Sequence, residues 1–182
     1  MNRRVVAKQV RAQETRRAIL DAFKNLAEQS QYDQISIAQI ALAAGVGKGT
    51  VLAHFSEKLA IAATIFAEEL ERIAEGLEHM ATSDLREICE QLAKVLDWAD
   101  ADDVYARLSV GDGAQICREV IGPSENKLMA NLAEKLTVTY GDQAGQRAQA
   151  LRAYLVYGVV VLRACADLIE ARAVFFSLCK SA

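Results

Sequence analysis

Apolar residues recur at helical spacing along almost the whole chain. These stripes predict helices over about residues 10–29, 36–44, 47–53, 57–80, 84–99, 143–165 and 168–180. No run alternates apolar and polar residues between turn signals, so no β-strand is predicted. One proline and ten glycines leave few interruptions in the chain. The pattern therefore predicts an all-α protein of about nine helices.

Residues 36–55, SIAQIALAAGVGKGTVLAHF, are the most informative stretch of the sequence. Ser36 and Gln39 have the spacing of a capping box, which starts a helix, and Gly45 is placed to end that helix in a left-handed conformation. We expect the small residues Ala41 and Gly45 to let the two short helices pack closely. A helix-turn-helix of this kind places its second helix in the major groove of DNA.

Residues that commonly cap or interrupt helices predict the remaining helix boundaries. Residues 1–9 are expected to form a flexible arm. Thr82, Ser83 and Asp84 interrupt the helical pattern and can cap the helix that follows. Pro123 is placed to begin a helix, and Gly141 is expected to end it.

Charge is distributed unevenly between the two ends of the chain. Residues 1–60 carry nine Lys/Arg and five Asp/Glu, net +4, whereas residues 61–182 carry twelve and nineteen, net −7. A basic end that coincides with a helix-turn-helix is typical of a DNA-binding module joined to a second domain. We therefore predict a DNA-binding domain over residues 1–58 and a helical body over residues 59–182.

The sequence holds no recognisable catalytic or metal-binding pattern. Its cysteines lie far apart and it has only two histidines, so zinc-site spacing is absent. GxSxG, P-loop and HExxH motifs are absent too, and the carboxylates of residues 97–103 are interpreted as a solvated loop. We predict no enzymatic activity and no cofactor. The cysteines are expected to be reduced and buried, with a thiol switch at Cys89 or Cys117 as a variant.

One apolar run, Tyr154–Leu162, is bounded by Arg152 and Arg163. It is far shorter than the roughly 20 residues that a membrane span needs. The chain does not open with the pattern of a secretory signal peptide. A cytoplasmic protein without membrane contact is therefore expected.

Residues 16–59 resemble the DNA-binding domain of the TetR family of bacterial transcriptional regulators. The matching segments, in register without a gap, are Ile19 to Ala22, Tyr32-Asp33, Ser36-Ile37, Ile40-Ala41, Ala44 to Thr50, His54-Phe55 and Lys58. Gly47, Leu52 and Ser56 depart from the Ser, Tyr and Pro that the family usually has. Because leucine cannot donate a hydrogen bond to a phosphate, the resemblance does not imply the family's usual contact at Leu52.

The resemblance implies which residues face DNA. Ser36 would cap a helix whose N-terminus meets a phosphate, and Lys48 and Thr50 would begin the recognition helix. His54 and Lys58 would add contacts to the DNA backbone. The predicted DNA-binding residues are Ser36, Gly47, Lys48, Thr50, Leu52, His54 and Lys58, with a basic arm of Arg3, Arg4, Lys8, Arg11, Arg16 and Arg17.

The resemblance also implies a body that dimerises and binds a small organic effector. Because residues 154–162 are apolar on nearly all sides, we expect a second copy to cover one side, giving a homodimer through the helices around 143–165 and 168–180. The predicted effector-binding residues are Phe66, Leu92, Trp98, Tyr105, Leu108, Met129 and Tyr154.

The sequence therefore predicts a TetR-like repressor. It would bind a palindromic double-stranded DNA operator as a homodimer and be released by a small organic ligand. The alternative is a DNA-binding protein without a small-molecule inducer, controlled by a protein partner or by cysteine oxidation.

Overall fold

The computed structural model describes residues 3–81, 83–111 and 113–181, with side chains from residue 6 to residue 180 of these ranges. This part of the chain is all-α, as predicted. It contains ten α-helical segments: α1 (Arg3–Ala27), α2 (Ile37–Ala43), α3 (Lys48–His54), α4 (Lys58–His79), α5 (Leu85–Ala101), α6 (Asp103–Ser109), α7 (Ala114–Ile116), α8 (Gly122–Tyr140), α9 (Ala144–Cys165) and α10 (Leu168–Ser181).

The described chain divides into two compact units. The N-terminal unit ends at Ile65 and the body begins at Phe66, so the division falls inside α4. The predicted boundary at residues 58 and 59 coincides with the start of the same helix.

A small apolar core holds the N-terminal unit together. One face of α1 is buried, and α2, α3 and the first turns of α4 pack around it. The large apolar residues of this core are Ile19, Leu20, Phe23, Ile35, Ile40, Val51, Phe55, Ile61 and Ile65. Burial of this face provides most of the stability of helices as short as α2 and α3, which would be marginal in isolation.

The flexible arm predicted for residues 1–9 is wrong for residues 3–9, because α1 begins at Arg3. No glycine or proline interrupts the segment from Arg3 to Ala27, so nothing in its sequence ends the helix early. Residues 1 and 2 lie outside the described part of the chain, and so do the side chains of Arg3 and Arg4.

The body is built around α9, which packs against α5, α8 and α10. Gly158 is buried in α9 and faces both α5 and α10. A Cβ atom at this position would lie 3.2 Å from Leu96 Cδ2 on α5 and 3.5 Å from Phe175 Cβ on α10. The contact with Leu96 is the tight one, so a larger residue here would first displace that side chain.

The boundaries within the body follow local chemistry. Asp84 caps α5 by accepting a hydrogen bond from the Arg86 amide at 2.9 Å, as predicted, whereas Thr82 lies outside the described residues. Gly141 ends α8 with φ of 52°, which is also confirmed. Pro123 does not follow a break, because a π-helical turn, Cys117–Ile121, joins α7 directly to α8. Proline lacks the N–H group that would continue the α-helical pattern here.

By length and composition alone, the helical stretch 114–165 contains an 18-residue window apolar enough for a membrane span, with 33% of that window buried inside the protein. α3 and α4 pass the same test together but meet at 52°. These are weak indications, because the core helices of many proteins that never enter a membrane have the same composition.

Candidate functional site

Local hydrogen bonds fix the start of the helix-turn-helix. The Gln39 amide donates to Ser36 Oγ at 3.2 Å, and the Ser36 amide donates to Gln39 Oε1 at 2.8 Å. The predicted capping box is therefore confirmed. Ser36 itself is exposed at the N-terminus of α2, where unpaired amides and the helix dipole favour an anion.

Gly45 shapes the turn between α2 and α3. Its φ of 66° is left-handed, as predicted, and the Val46 amide donates to the Ala41 carbonyl at 2.9 Å across the turn. A Cβ atom on Gly45 would meet nothing within 4 Å. The expectation that Gly45 is needed for close helix packing is therefore wrong, and its backbone conformation is the reason for a glycine here.

α3 has one buried face and one exposed face. Val51 is fully buried, which fixes the rotation of the helix about its axis. Gly47, Lys48 and Thr50 are exposed at its N-terminal end. Farther along, Leu52 is 49% exposed and His54 is half-buried. The predicted DNA-binding residues of this segment thus lie along one small helix and its cap.

Lys58 is positioned differently from the prediction. Its ammonium group donates to the carbonyl oxygens of Tyr32 at 2.7 Å and Ile35 at 2.8 Å, and it lies 3.9 Å from the centre of the Tyr32 ring. These groups hold it against the turn before α2. Lys58 thus positions α2 through these contacts, and its contact with the DNA backbone stays a prediction.

Arg16, predicted to belong to a basic arm, also holds the N-terminal unit together. Its guanidinium group donates to the His54 carbonyl and to Thr64 Oγ1, both at 3.3 Å, and stacks 4.2 Å from the centre of the Phe55 ring. It thus ties the C-terminal end of α3 to α1 and α4. Lys8, Arg11 and Arg17 remain on the exposed surface of α1.

The body contains a cavity of about 760 Å³, within the range of small-molecule sites. Helices α4, α5, α6, α7, α8 and α9 and the π-helical turn line it. Its apolar wall consists mainly of Phe66, Leu70, Leu92, Val95, Leu108, Ile121, Leu128, Met129, Leu132, Leu155, Val156 and Val159.

Polar residues that the sequence did not predict line the same cavity. They are Ser109, Arg118, Glu125, Asn126 and Arg152. Arg152 pairs with Glu125, whereas within the described chain no protein group pairs with the Arg118 guanidinium. Nothing in the sequence marked Arg118, because its place in the wall follows from the π-helical turn.

Four of the predicted effector-binding residues line this cavity, namely Phe66, Leu92, Leu108 and Met129. Tyr105 instead packs between Phe66 and Trp98, with ring centres 6.1 and 5.2 Å away. Its burial, together with the charge of Asp102, raises the pKa of Tyr105 well above its usual range. Trp98, Tyr105 and Tyr154 do not line the cavity.

Protein groups occupy most carboxylates of the 97–103 segment. Asp97 accepts a hydrogen bond from Arg172 at 2.8 Å, and Asp103 pairs with Arg107 at 3.3 Å and Arg163 at 3.4 Å. Asp102 is buried and caps α6 by accepting from the Val104 amide at 3.0 Å. These contacts give the segment a structural role in joining helices.

Comparison with solved structures shows the same fold in bacterial regulators of low sequence identity. The TetR-family repressor AlkX from Dietzia sp. strain DQ12-45-1b, implicated in biodegradation of n-alkanes, is 17% identical, with a TM-score of 0.58 over 91% of this chain and 94% of AlkX. FadR from Bacillus subtilis, solved in complex with stearoyl-CoA, is 21% identical, with a TM-score of 0.57 over 92% and 95%.

A third similar structure is the reduced form of NemR from Escherichia coli. It is 19% identical, with a TM-score of 0.57 over 87% of this chain and 94% of NemR. No curated protein sequence matches the chain.

The family assignment comes from the N-terminal unit. Residues 19–65 match the family model described as bacterial regulatory proteins, tetR family. This range contains α2, the turn at Gly45, α3 and the first turns of α4. The match shows that residues 19–65 carry the helix-turn-helix DNA-binding domain of the tetR family, and the described chain shares its fold with TetR-family structures.

Proposed function

We propose that the protein is a cytoplasmic, non-enzymatic repressor that binds a palindromic operator as a homodimer and is released by a small organic effector. The observation that carries the proposal is the combination of an exposed helix α3 in the N-terminal unit with a cavity of about 760 Å³ in the body.

The exposed residues of α3 support the DNA-binding part of the proposal. Lys48 is suited to a phosphate or a guanine edge, and Thr50 to a phosphate. Leu52 replaces a hydrogen-bonding group with an apolar one, and Leu42 on α2 is 83% exposed. Apolar side chains in the major groove contact thymine methyl groups, so we expect A·T pairs at the positions that Leu52 and Leu42 contact.

An exposed apolar stripe supports the homodimer. Ala153, Tyr157, Val160 and Ala164 follow one another at intervals of three or four residues on α9, and all are exposed. α10 carries a similar stripe of Ile169, Ala173 and Ser177. Small residues in such stripes let helices of two copies approach, and a twofold axis would bring two α9 and two α10 together as four helices.

The cavity favours a small-molecule effector over the alternative of a body that responds to a protein partner. Its lining is mainly apolar and includes the amide of Asn126 and the guanidinium of Arg118, which has no partner among the described residues. This combination fits an elongated apolar molecule with an anionic end. The stearoyl-CoA complex of B. subtilis FadR, which has the same fold, supports an acyl compound as the first class to test.

α4 offers a route by which the effector would change DNA affinity. The helix begins at Lys58 in the N-terminal unit and continues into the body, where Phe66 and Leu70 form part of the cavity wall. A ligand that displaces these residues would act on a helix whose first residue anchors the turn before α2. Such coupling requires different effector affinities for the DNA-bound and free states.

The proposal is tested by fluorescence-anisotropy binding to DNA from upstream of the protein's own gene, with unrelated DNA as control, across a salt series. We expect preference for the upstream DNA and release by a fatty acid or an acyl-CoA. Equal, salt-sensitive binding to both DNAs would show only counterion-driven attraction and would contradict a site-specific regulator at this DNA.

A cavity variant separates the effector from the operator. Val156→Trp should fill part of the cavity and abolish release by the acyl compound, while operator affinity stays unchanged because Val156 belongs to the body. Val138→Trp, at an exposed position of α8 outside the cavity, is the matched control. Release that survives in Val156→Trp would place the effector elsewhere.

A further inference from the structure

A second cavity in the body, of about 470 Å³, brings together two cysteines that are ninety residues apart in the sequence. Cys89 on α5 and Cys179 on α10 are both buried, and both line this cavity. The other lining residues are Leu85, Arg86, Glu90, Phe176 and Lys180. Because Arg86, Glu90 and Lys180 are exposed, the cavity opens to solvent on their side.

The packing of α5 against α10 fixes the relative position of the two helices that carry the thiols. Arg172 of α10 donates to Glu90 at 3.0 Å and to Asp97 at 2.8 Å, both on α5. Cys179 lies two helical turns from Arg172 on the same helix. The ion pairs therefore fix the two helices alongside each other, with both thiols in the wall of one cavity.

The two thiols differ in acidity. The hydrogen bond from Cys179 lowers the pKa of Cys89, against the opposing effects of burial and of Glu90. The same hydrogen bond and burial raise the pKa of Cys179. Cys89 is therefore the sulfur that ionises first, with the positive charges of Arg86 and Lys180 in the wall of the same cavity.

We propose that Cys89 and Cys179 form a dithiol site that a hydroperoxide oxidises to an intramolecular disulfide between α5 and α10. The Cys89 thiolate attacks the terminal oxygen of the hydroperoxide, the O–O bond breaks, and an alcohol leaves after taking a proton. Cys89 is then a sulfenic acid. The Cys179 sulfur attacks the Cys89 sulfur, the S–O bond breaks, and water leaves with the Cys179 proton.

The reaction balances without a further reactant. Two thiols lose two hydrogen atoms, and the hydroperoxide is reduced to an alcohol and water. The sulfur atoms must move from hydrogen-bond contact to the roughly 2.05 Å of a disulfide. Neither Cys117 nor Cys165 lines this cavity, so the proposal assigns the reaction to one pair among four thiols.

The test uses the full chain carrying Cys117→Ser and Cys165→Ser, which leaves only the proposed pair. After treatment with cumene hydroperoxide and alkylation, we expect intact mass to fall by two hydrogen atoms with loss of both alkylation sites. A non-reduced digest should contain one cross-linked peptide pair joining Cys89 to Cys179, and dithiothreitol should restore both thiols. Circular dichroism checks that each variant is folded.

Two further variants assign the roles within the pair. Adding Cys179→Ser should leave a sulfenic acid at Cys89 that dimedone traps, whereas adding Cys89→Ser should abolish the reaction at Cys179. Alanine versions of both substitutions provide a second measurement if a buried serine disturbs folding. Thiols that remain fully alkylated, oxygen addition without a cross-link, or cross-links found only between chains would each overturn the proposal. The measurement needs no DNA, so its failure is distinct from failure of the proposed regulator.

Discussion

The N-terminal unit and the body present their chemistry in opposite ways. In the N-terminal unit the polar groups of α3 lie on an exposed helix face, while one buried residue, Val51, fixes the orientation of that face. In the body the groups suited to ligand binding line a cavity whose walls come from six helices and a π-helical turn. An exposed face requires only a few residues close together in sequence, whereas a cavity requires many distant ones.

This contrast explains why the family model matches residues of the N-terminal unit. The helix-turn-helix depends on local contacts such as the Ser36–Gln39 capping box and the left-handed Gly45. These restrict residue choice at fixed spacings over a short stretch. The body needs only apolar residues at helical spacing, a condition that very different sequences satisfy, as the low identities to AlkX, FadR and NemR illustrate.

The largest effect is expected from a charge on the exposed stripe of the body. Val160→Glu should convert the proposed dimer to a monomer, since a buried unpaired carboxylate in the interface is costly. Operator affinity should then fall by at least about a thousandfold, to the level of non-specific binding. Light scattering measures the mass, and Val138→Glu on the exposed face of α8 is the control. An unchanged mass would refute this interface.

Two lysines of the N-terminal unit sharpen the comparison between exposed and structural groups. Lys48→Ala should weaken operator binding by about 1–3 kcal/mol while the free energy of unfolding stays within about 0.5 kcal/mol. Lys58→Ala should lower the free energy of unfolding by about 2 kcal/mol, because two carbonyl oxygens lose a charged donor.

Urea denaturation and anisotropy, measured on both lysine variants, separate these effects. If Lys58→Ala leaves stability unchanged but weakens binding and lowers its salt dependence, Lys58 contacts phosphate after all, as the sequence first suggested. If Lys48→Ala unfolds the protein, the exposed face of α3 has been assigned incorrectly.

The smallest effects are expected from substitutions of two glycines, one of which should lower the free energy of unfolding and the other raise it. Gly45→Ala should cost about 1 kcal/mol, because its φ of 66° strains a residue with a side chain. Gly49→Ala, in the open part of α3, should stabilise the unit by about 0.5–1 kcal/mol. Urea denaturation of both variants measures the difference, and equal shifts of the same sign would contradict the conformational role of Gly45.

The elements that could be predicted from the sequence are those specified by residues close to them in the sequence. The helix-turn-helix, the Asp84 cap and the end of α8 at Gly141 each depend on a few adjacent residues. The inward positions of Lys58 and Arg16 depend on carbonyl oxygens of residues distant in sequence. No spacing rule reveals such partners, so the sequence does not distinguish a basic residue with internal partners from one that faces solvent.

The larger cavity of the body shows a second limit to prediction from sequence. Residue size and helical position predict large apolar residues for its wall, but they do not distinguish a cavity wall from the core behind it. Phe66 and Tyr105 are in ring contact, yet only Phe66 lines the cavity. The position of Arg118 in the cavity wall could not be predicted from the sequence, because it depends on the π-helical turn that contains this residue.

The π-helical turn between α7 and α8 also bears on how this protein can diverge. A π turn holds an extra residue compared with an α turn, and each residue of an α-helix rotates the chain by about 100°. Loss of one codon within residues 117–121 would restore a regular α-helix and rotate Cys117 and Arg118 relative to the face of α8 that carries Leu128 and Leu132. The core contacts of α8 would be retained while the polar lining changed. Single-codon insertions and deletions here are therefore a short evolutionary path to a new effector preference.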